Sequence, residues 1–468
     1  MLNDVNVNVT DGGLGSTGTV GEGVHIKIGA SSIVSPDYIT IRSSMSHKKI
    51  KELLGSSPLA DSVMDSIDAG SNLIHCYPVS PAVPGTIGEV TAIKTGTGTM
   101  TAEGEPSNEF NIIVEIQNPG ELNIATFSYS LNAGETFSEE ITVPLAGKYE
   151  VPGTGVSLNF TVPAGQGFAT GDKFSFTTAA PAMNIQNVLD TLEKVKNIKK
   201  DYESIHIVGP GNKALWAALS AEADKFSSKH KYPIFFISET RNIKSDDISI
   251  DSYVQALLTE RQGIANTQIQ LVSARGLNQK MDGTVKDVNC AGIVCGLYAR
   301  ARVSQSIGET REFPVTSIKK LLPEGIEDYH IESLDEAKYL TFRQYIGLEG
   351  FYVTNAKMMC PDGSDYTYAE RARVSNKLSK QVRAKALLEL QKEIDAEDVE
   401  KDLAVTAEFI QEPIDKAVEN KEISSGRIII PEGQDILGTE KMDLKIRYVP
   451  KGHNRAIDID LGIEKPTQ

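Results

Sequence analysis

The chain is poor in the residues that staple small secreted folds and in those that run most enzyme chemistry. Among 468 residues there are four cysteines, seven histidines and one tryptophan. Cys76, Cys290, Cys295 and Cys360 form no C-x-x-C pair and no metal-ligand spacing. That argues against a disulfide framework or a zinc module and for a reducing compartment. Cys290 and Cys295 lie in an apolar helical stretch, where free thiols serve as small hydrophobes. No two histidines stand at helical metal spacing, so neither a metal nor another cofactor is expected. Positive charge is short as well, with 47 lysines and arginines against 63 acidic residues and a formal net charge of −16. Such a field repels phosphate, which excludes wrapping of nucleic acid as an expectation. No apolar run approaches the ~20 residues of a membrane span. No basic stretch leads into an apolar one near the start, so no signal peptide is expected. The phosphate-loop, nucleophile-elbow and H-E-x-x-H signatures are all missing.

What is present lies first at the two ends. Met442, Leu444, Ile446 and Tyr448 alternate with Asp443, Lys445 and Arg447. After Pro450–Lys451–Gly452, Ile457, Ile459 and Leu461 alternate with Asp458 and Asp460. Val5, Val7 and Val9 alternate with Asn6 and Asn8 near the start. Period two marks a strand with one apolar face. Gly12, Gly13, Gly15, Gly18, Gly21 and Gly23 follow the Val5–Val9 segment and read as a hinge. A strand on a tether, at both ends, reads as a segment that adds itself to the sheet of another copy.

Between the ends the expected fold class is mixed α/β, multidomain, with an inserted all-β sandwich and extended strand arms. Residues 1–30 read as a polar arm. Residues 31–80 read strand, helix, helix, strand and join 183–334 in one α/β core. From Pro81 to about residue 182 the composition turns to Gly, Thr, Val and Pro. Short alternating segments recur there at Asn111–Ile116, Thr126–Leu131, Glu140–Val143, Ser157–Val162 and Lys173–Thr177. Strands at that spacing predict a sandwich inserted in a surface loop. Helices are then predicted over Ile185–Val195, Lys213–Phe226, Asp251–Ile264 and Cys290–Arg302. Strands are predicted over Ser204–Val208, Pro233–Ser238 and Ile269–Ser273. Residues 335–440 form a C-terminal α/β domain, and 441–468 a terminal arm. A long helix after Tyr366 should bury Val374, Leu378, Val382, Leu387, Leu390 and Ile394 along one stripe. A second helix over Leu403–Val418 should kink or break at Pro413.

The strongest enzymatic signal is Gly209–Pro210–Gly211–Asn212–Lys213–Ala214, a G-x-G-x-x-A turn between a strand and a helix. It fits either a tight strand-to-helix turn or a dinucleotide site on residues 204–273, with Glu239 as the acidic partner. Gly13 to Gly18 also fits the glycine spacing, but no helix can follow it. On the long helix, Arg371, Lys377, Lys380 and Arg383 form a basic face, and Glu393 and Glu397 an acidic one beyond it. These charges read as solvated, or as meeting a neighbouring subunit.

Three stretches resemble contractile tail sheath proteins of phages, phage-tail-like bacteriocins and contractile injection systems. The first runs from Ile50–Lys51–Glu52–Leu53–Leu54–Gly55 through Pro58, Val63 and Ala69–Gly70 to Ile74–His75–Cys76–Tyr77. The second is Ala291 to Arg300, followed by Gly308 and Pro314. The third is Gly350–Phe351–Tyr352–Val353 with Asn355–Ala356–Lys357, then Asp365–Tyr366 and Arg371. The resemblance covers most of the chain outside 81–181. It implies a non-enzymatic subunit that polymerises as stacked, sixfold rings around an inner tail tube protein. Baseplate and tail terminator proteins would be further partners. Assembly would take place in the bacterial host cytoplasm, and the product would be a virion tail or tail-like particle. The two remaining readings are a dinucleotide enzyme and a surface adhesin or baseplate protein that binds through residues 81–182.

Overall fold

The computed structural model describes residues 21–464, apart from Ser245 and Ala396. The chain divides into two compact units between Val208 and Gly209.

The first unit begins with β1 (His25–Ala30), which is buried along its whole length. β2 (Ile39–Arg42), α1 (His47–Leu54), α2 (Pro58–Asp68) and β3 (Leu73–Val79) follow. The arm predicted over residues 1–30 therefore stops short, because β1 pairs in parallel with β3 on one side. Its other side pairs with β13 (Ser204–Pro210). Both helices start at a serine: Ser46 accepts from Lys49 N, and Ser57 accepts from Ala60 N just before Pro58. α1 ends at Gly55, whose φ of 68° places any Cβ 2.1 Å from Ser32 Oγ. Ile50, Leu54, Leu59, Val63 and Met64 pack with Ile41, Ile74 and Val208 beside the strands.

Residues 86–179 hold strands only: β4 (Thr86–Ile87), β5 (Thr91–Ile93), β6 (Thr99–Gly104), β7 (Asn111–Asn118), β8 (Thr126–Ser130), β9 (Ile141–Thr142), β10 (Lys148–Val151), β11 (Val156–Thr161) and β12 (Lys173–Ala179). They form a three-stranded sheet, β10-β11-β6, and a larger one, β4-β12-β7-β8-β9, with β5 also on β12. One apolar cluster draws on both sheets, including Leu158 and Phe160 from the first and Val114, Phe127 and Phe174 from the second. The alternation in β7 and β12 is thus explained by burial of one face. α3 (Ile185–Val195) closes the unit's helices, capped by Asn184.

The second unit continues with α4 (Lys213–Ser228), β14 (Phe235–Glu239), α5 (Ile250–Glu260) and β15 (Ile269–Val272). β14 and β15 pair in parallel. β16 (Arg275–Gln279) pairs with β17 (Val285–Asn289), and after α6 (Ala291–Arg300) also with β18 (Ile318–Leu322). α7 (Asp328–Glu336) and the short pair β19 (Phe342–Arg343) and β20 (Tyr352–Val353) lead to α8 (Ala369–Ala386). α9 (Val399–Glu419), β21 (Ile423–Ile429), α10 (Ile436–Thr439) and β22 (Lys445–Pro450) complete it.

Two helix expectations fail in informative ways. α8 stops at Ala386, and Leu387, Leu388 and Leu390 are exposed rather than part of a buried stripe. α9 runs through Pro413 without a break. Pro413 is itself buried there, among residues whose packing offsets one missing N–H.

Candidate functional site

The C-terminal region is built from α8, α9 and the β21–β22 hairpin. Val374 and Leu378 of α8, Ile414 and Ala417 of α9, and Ile423 of β21 form one buried cluster. Ile446 and Tyr448 of β22 pack against it. Met442, Leu444, Ile446 and Tyr448 are all half-buried and alternate with exposed residues. β22 pairs antiparallel with β21 of its own chain, Ile446 opposite Ile428 and Tyr448 opposite Gly426. The expectation that Ile446 and Tyr448 belong to a donated strand is corrected here, because the hairpin closes locally over α8 and α9. Burial pushes the Tyr448 phenol up to about 12, helped by the nearby Tyr366.

Beyond β22 the chain is pinned and then released. His453 Nε2 lies 3.0 Å from the Ser304 carbonyl. The Arg455 guanidinium pairs with the buried Glu370 carboxylate and donates to Asn355 Oδ1 at 3.0 Å. From Ala456 to Glu464 no residue joins a ladder or helix. In that stretch Ile457, Ile459, Leu461 and Ile463 are 75, 82, 93 and 104% exposed. Four large apolar side chains at every second position, all in water, are unusual for a finished surface.

At the other end, Val5, Val7, Val9, Gly12, Gly13, Gly15 and Gly18 lie outside the described residues. Gly21 and Gly23 have φ of 66° and 68°. A Cβ on Gly21 would sit 2.3 Å from Tyr202 N, and Gly23 N donates to Glu203 Oε2 at 2.8 Å. These two glycines are fixed turn positions.

The charges of α8 divide. Lys377 is buried and bonds to the buried Glu422 carboxylate at 2.6 Å. Lys380 is buried with its ammonium 3.9 Å from the Tyr232 ring centroid. Both were expected on a solvated face or facing a neighbouring subunit or the tube, and within the chain they take interior positions. Their long apolar stems line the core while their heads find a carboxylate and a π-face. Arg371 donates to the Asp365 carbonyl at 3.0 Å, and Arg383, Glu393 and Glu397 are exposed. The sequence reading missed Arg373. It is buried and donates to the carbonyls of Tyr298 and Ala301 at 3.0 and 3.3 Å, at the C-terminal end of α6. Its charge suits that negative pole.

Two clusters have the residue types of a catalytic site. At the glycine turn, Gly211 N, one of the groups that would face a pyrophosphate, donates instead to Glu239 O at 2.8 Å. A Cβ there would lie 2.5 Å from Trp216 Nε1, and Asn212 caps α4. Side chains and backbone of the protein itself fill the turn. In the first unit, Lys27 Nζ lies 2.8 Å from both Ser62 Oγ and His206 Nδ1. Lys27 and His206 are 0% exposed and Ser62 7%, so the trio is walled off from solvent. Burial, with Lys27 nearby, holds both His25 and His206 well below the usual histidine range. Cys76, also buried, is pushed up to about 12. All four cysteines are free and buried. Among the described residues, no cluster of His, Cys, Asp and Glu is arranged to hold a metal, and no helix is long and apolar enough to cross a membrane.

Comparison with solved structures identifies the fold. The chain is similar to a chain of the anti-feeding prophage baseplate, with TM-score 0.54, 8% identity, and 99% of each chain covered. It is similar to a chain of the PVC sheath complex in its contracted state, an extracellular contractile injection system. There the TM-score is 0.54 and the identity 11%, over 99% of this chain and 98% of that one. The anti-feeding prophage helical sheath in its contracted state matches with TM-score 0.51 and 10% identity, over 100% and 99% of the chains. The fold is that of contractile sheath proteins. The sequence matches the DUF2586 N-terminal domain over residues 2–357 and the DUF2586 C-terminal domain over residues 365–468, and the chain belongs to the DUF2586 family. No curated protein matches it.

Proposed function

We propose that this chain is the subunit of a contractile sheath, stacked in rings around an inner tube and joined to its neighbours by exchanged terminal segments. The carrying observation is the bare segment after Arg455. Covering Ile457, Ile459, Leu461 and Ile463 with a neighbouring copy would contribute about 1.5–3 kcal/mol for each side chain fully buried. Main-chain bonds to an added strand contribute ~0.5–1.5 kcal/mol each. Such links let rigid bodies change their packing without separating, as a shortening polymer requires. The likeness of fold to sheath subunits over nearly the whole chain supports this reading. In it, residues 81–182 are an inserted module on the outer surface, and residues 335–440 lie toward the tube. Arg383, Glu393 and Glu397 are exposed charges available to a tube or a neighbour. Residues 1–20 supply the second exchanged segment. Baseplate and terminator proteins would bound the polymer, which forms in the host cytoplasm and ends in a tail-like particle.

The test is negative-stain microscopy of the purified chain and of a variant ending at Arg455. The full chain is expected to form tubes or ring stacks. The truncated chain is expected to stay monomeric with an unchanged melting temperature, since the deletion spares β22 and the Arg455–Glu370 pair. A full chain that stays monomeric at high concentration, or a truncated chain that still forms tubes, sinks the proposal.

A further inference from the structure

Glu370 lies in the first turn of α8, where the positive pole of the helix suits a carboxylate. Its side chain is 3% exposed. Oε1 pairs with Arg455 Nη2, and His453 Nδ1 lies 3.7 Å from the same oxygen. Oε2 is buried and has no hydrogen-bond partner among the described residues. The other arm of the guanidinium, Nη1, donates elsewhere, to Asn355 Oδ1 at 3.0 Å. A guanidinium and a carboxylate bind most strongly as two parallel forks, with each oxygen accepting one N–H. Arg455 meets Glu370 end-on and leaves half of it unused.

The rest of the socket is set in place by groups behind it. Asn355 Nδ2 donates to Asp335 Oδ2 at 3.2 Å, which turns Asn355 Oδ1 toward the guanidinium. Asp335 accepts in turn from Lys357 Nζ at 2.7 Å and from Thr354 Oγ1 at 3.1 Å. Tyr368 supplies a flat wall on which the Arg455 guanidinium is stacked. Arg371 also borders that ring, its guanidinium carbon 5.9 Å from the centroid, but it is tied to the Asp365 carbonyl. The occupant is held less firmly than the socket. Residues 451–464 join no ladder or helix, and the Arg455 side chain is 25% exposed. A carboxylate, an amide oxygen and a π-face around one planar space select a guanidinium over an ammonium.

The geometry points to a guanidinium-binding site, formed by Tyr368, Glu370 and Asn355, for an arginine presented by another polypeptide, with Arg455 as its displaceable internal occupant. When the C-terminal segment lifts, Arg455 and His453 leave together and strand a buried carboxylate, which is unfavourable until another cation replaces them. An arginine free of the tether can offer its fork to both oxygens and so use the Oε2 that Arg455 leaves bare. The site thereby couples release of the segment to capture of an arginine. Its chemistry does not depend on polymer formation.

Argininamide is the probe, with lysinamide as a control of equal charge, on the full chain. Calorimetry on Arg455→Ala, which empties the socket, is expected to show argininamide binding roughly tenfold tighter than lysinamide, the margin of a fork over a point charge. The parent should need roughly tenfold more argininamide, because its tethered Arg455 competes at high local concentration. In the parent, saturating argininamide should also speed amide exchange over residues 451–456, and lysinamide should not. Adding Glu370→Gln to Arg455→Ala, or Tyr368→Leu where the glutamine variant does not fold, should weaken argininamide binding by roughly tenfold. A folded Arg455→Ala chain that binds argininamide no tighter than lysinamide overturns the site, as does binding that neither Glu370→Gln nor Tyr368→Leu weakens. Binding to Arg455→Ala without faster exchange in the parent overturns the displaceable occupant. Should Arg455→Ala fail to fold, the exchange measurement on the parent decides alone, and rates unmoved by argininamide overturn the site.

Discussion

Arg455 stacks on Tyr368, its guanidinium carbon 3.5 Å from the ring centroid. The same guanidinium holds Glu370 at the start of α8, across 85 residues of chain. The root of the C-terminal segment is therefore tied to a helix through a cation–π contact and a charge-assisted bond together. What projects beyond it begins at Ala456.

Removing this tie should loosen the root and leave the fold intact. Arg455→Ala is expected to speed amide exchange over Lys451–Ala456 by roughly tenfold, in line with one lost charge-assisted bond. Arg455→Lys keeps the charge but loses the fork and the flat stack, and should fall between. Exchange rates equal to the parent in both variants would show that Arg455 holds nothing.

The Lys377–Glu422 pair should behave as a buried ion pair. Lys377→Met strands the Glu422 carboxylate and is expected to cost about 3–5 kcal/mol in denaturant unfolding. The double change Lys377→Met with Glu422→Leu removes both charges and should cost less than the single one. Additive losses would mean that the two side chains do not act as a pair.

Acid should weaken the first unit before its carboxylates protonate. His25 and His206 are buried, and their folded pKa values lie well below the ordinary one. The unfolded chain then binds more protons below about pH 6.5, so stability is present above that pH and is lost as pH falls. Below about pH 6.5 each buried histidine adds to the fall in stability as the pH drops. Unfolding free energies measured across that window in parent and His206→Asn should differ in slope. A flat profile in the parent contradicts the buried, neutral assignment.

Gly21 should resist substitution. Its φ of 66° and the 2.3 Å approach of Tyr202 N leave no place for a methyl group. Gly21→Ala is expected to cost about 1–3 kcal/mol. Calorimetry reads this as a lowered melting temperature; an unchanged one would make Gly21 a free hinge.

Much of the α/β alternation is legible because it rests on local rules. Helix Ile185–Val195 has the predicted bounds, set by the Asn184 cap and its apolar spacing. Lys213–Phe226 falls inside α4, which Asn212 caps. β1 falls inside the polar arm predicted over residues 1–30, because Ile26–Lys27–Ile28 is a short run beside the glycine-rich segment, yet all six of its residues are buried. A buried lysine looks polar in sequence and finds its partners 35 and 179 residues away. α8 shows the opposite error: Leu387 and Leu390 keep helical spacing, but the helix ends at Ala386 and leaves them in water.

The sequence by itself determined the alternation of strand and helix, the β-rich stretch, and the two-residue period of the C-terminal segments, since each depends on neighbours a few residues apart. Only the tertiary structure decided that β22 folds back on β21, that Lys377 and Lys380 are interior, and that Arg455 is held by Glu370 and Tyr368. Those outcomes depend on which distant groups are left unpaired once the backbone has closed, and no local pattern encodes that.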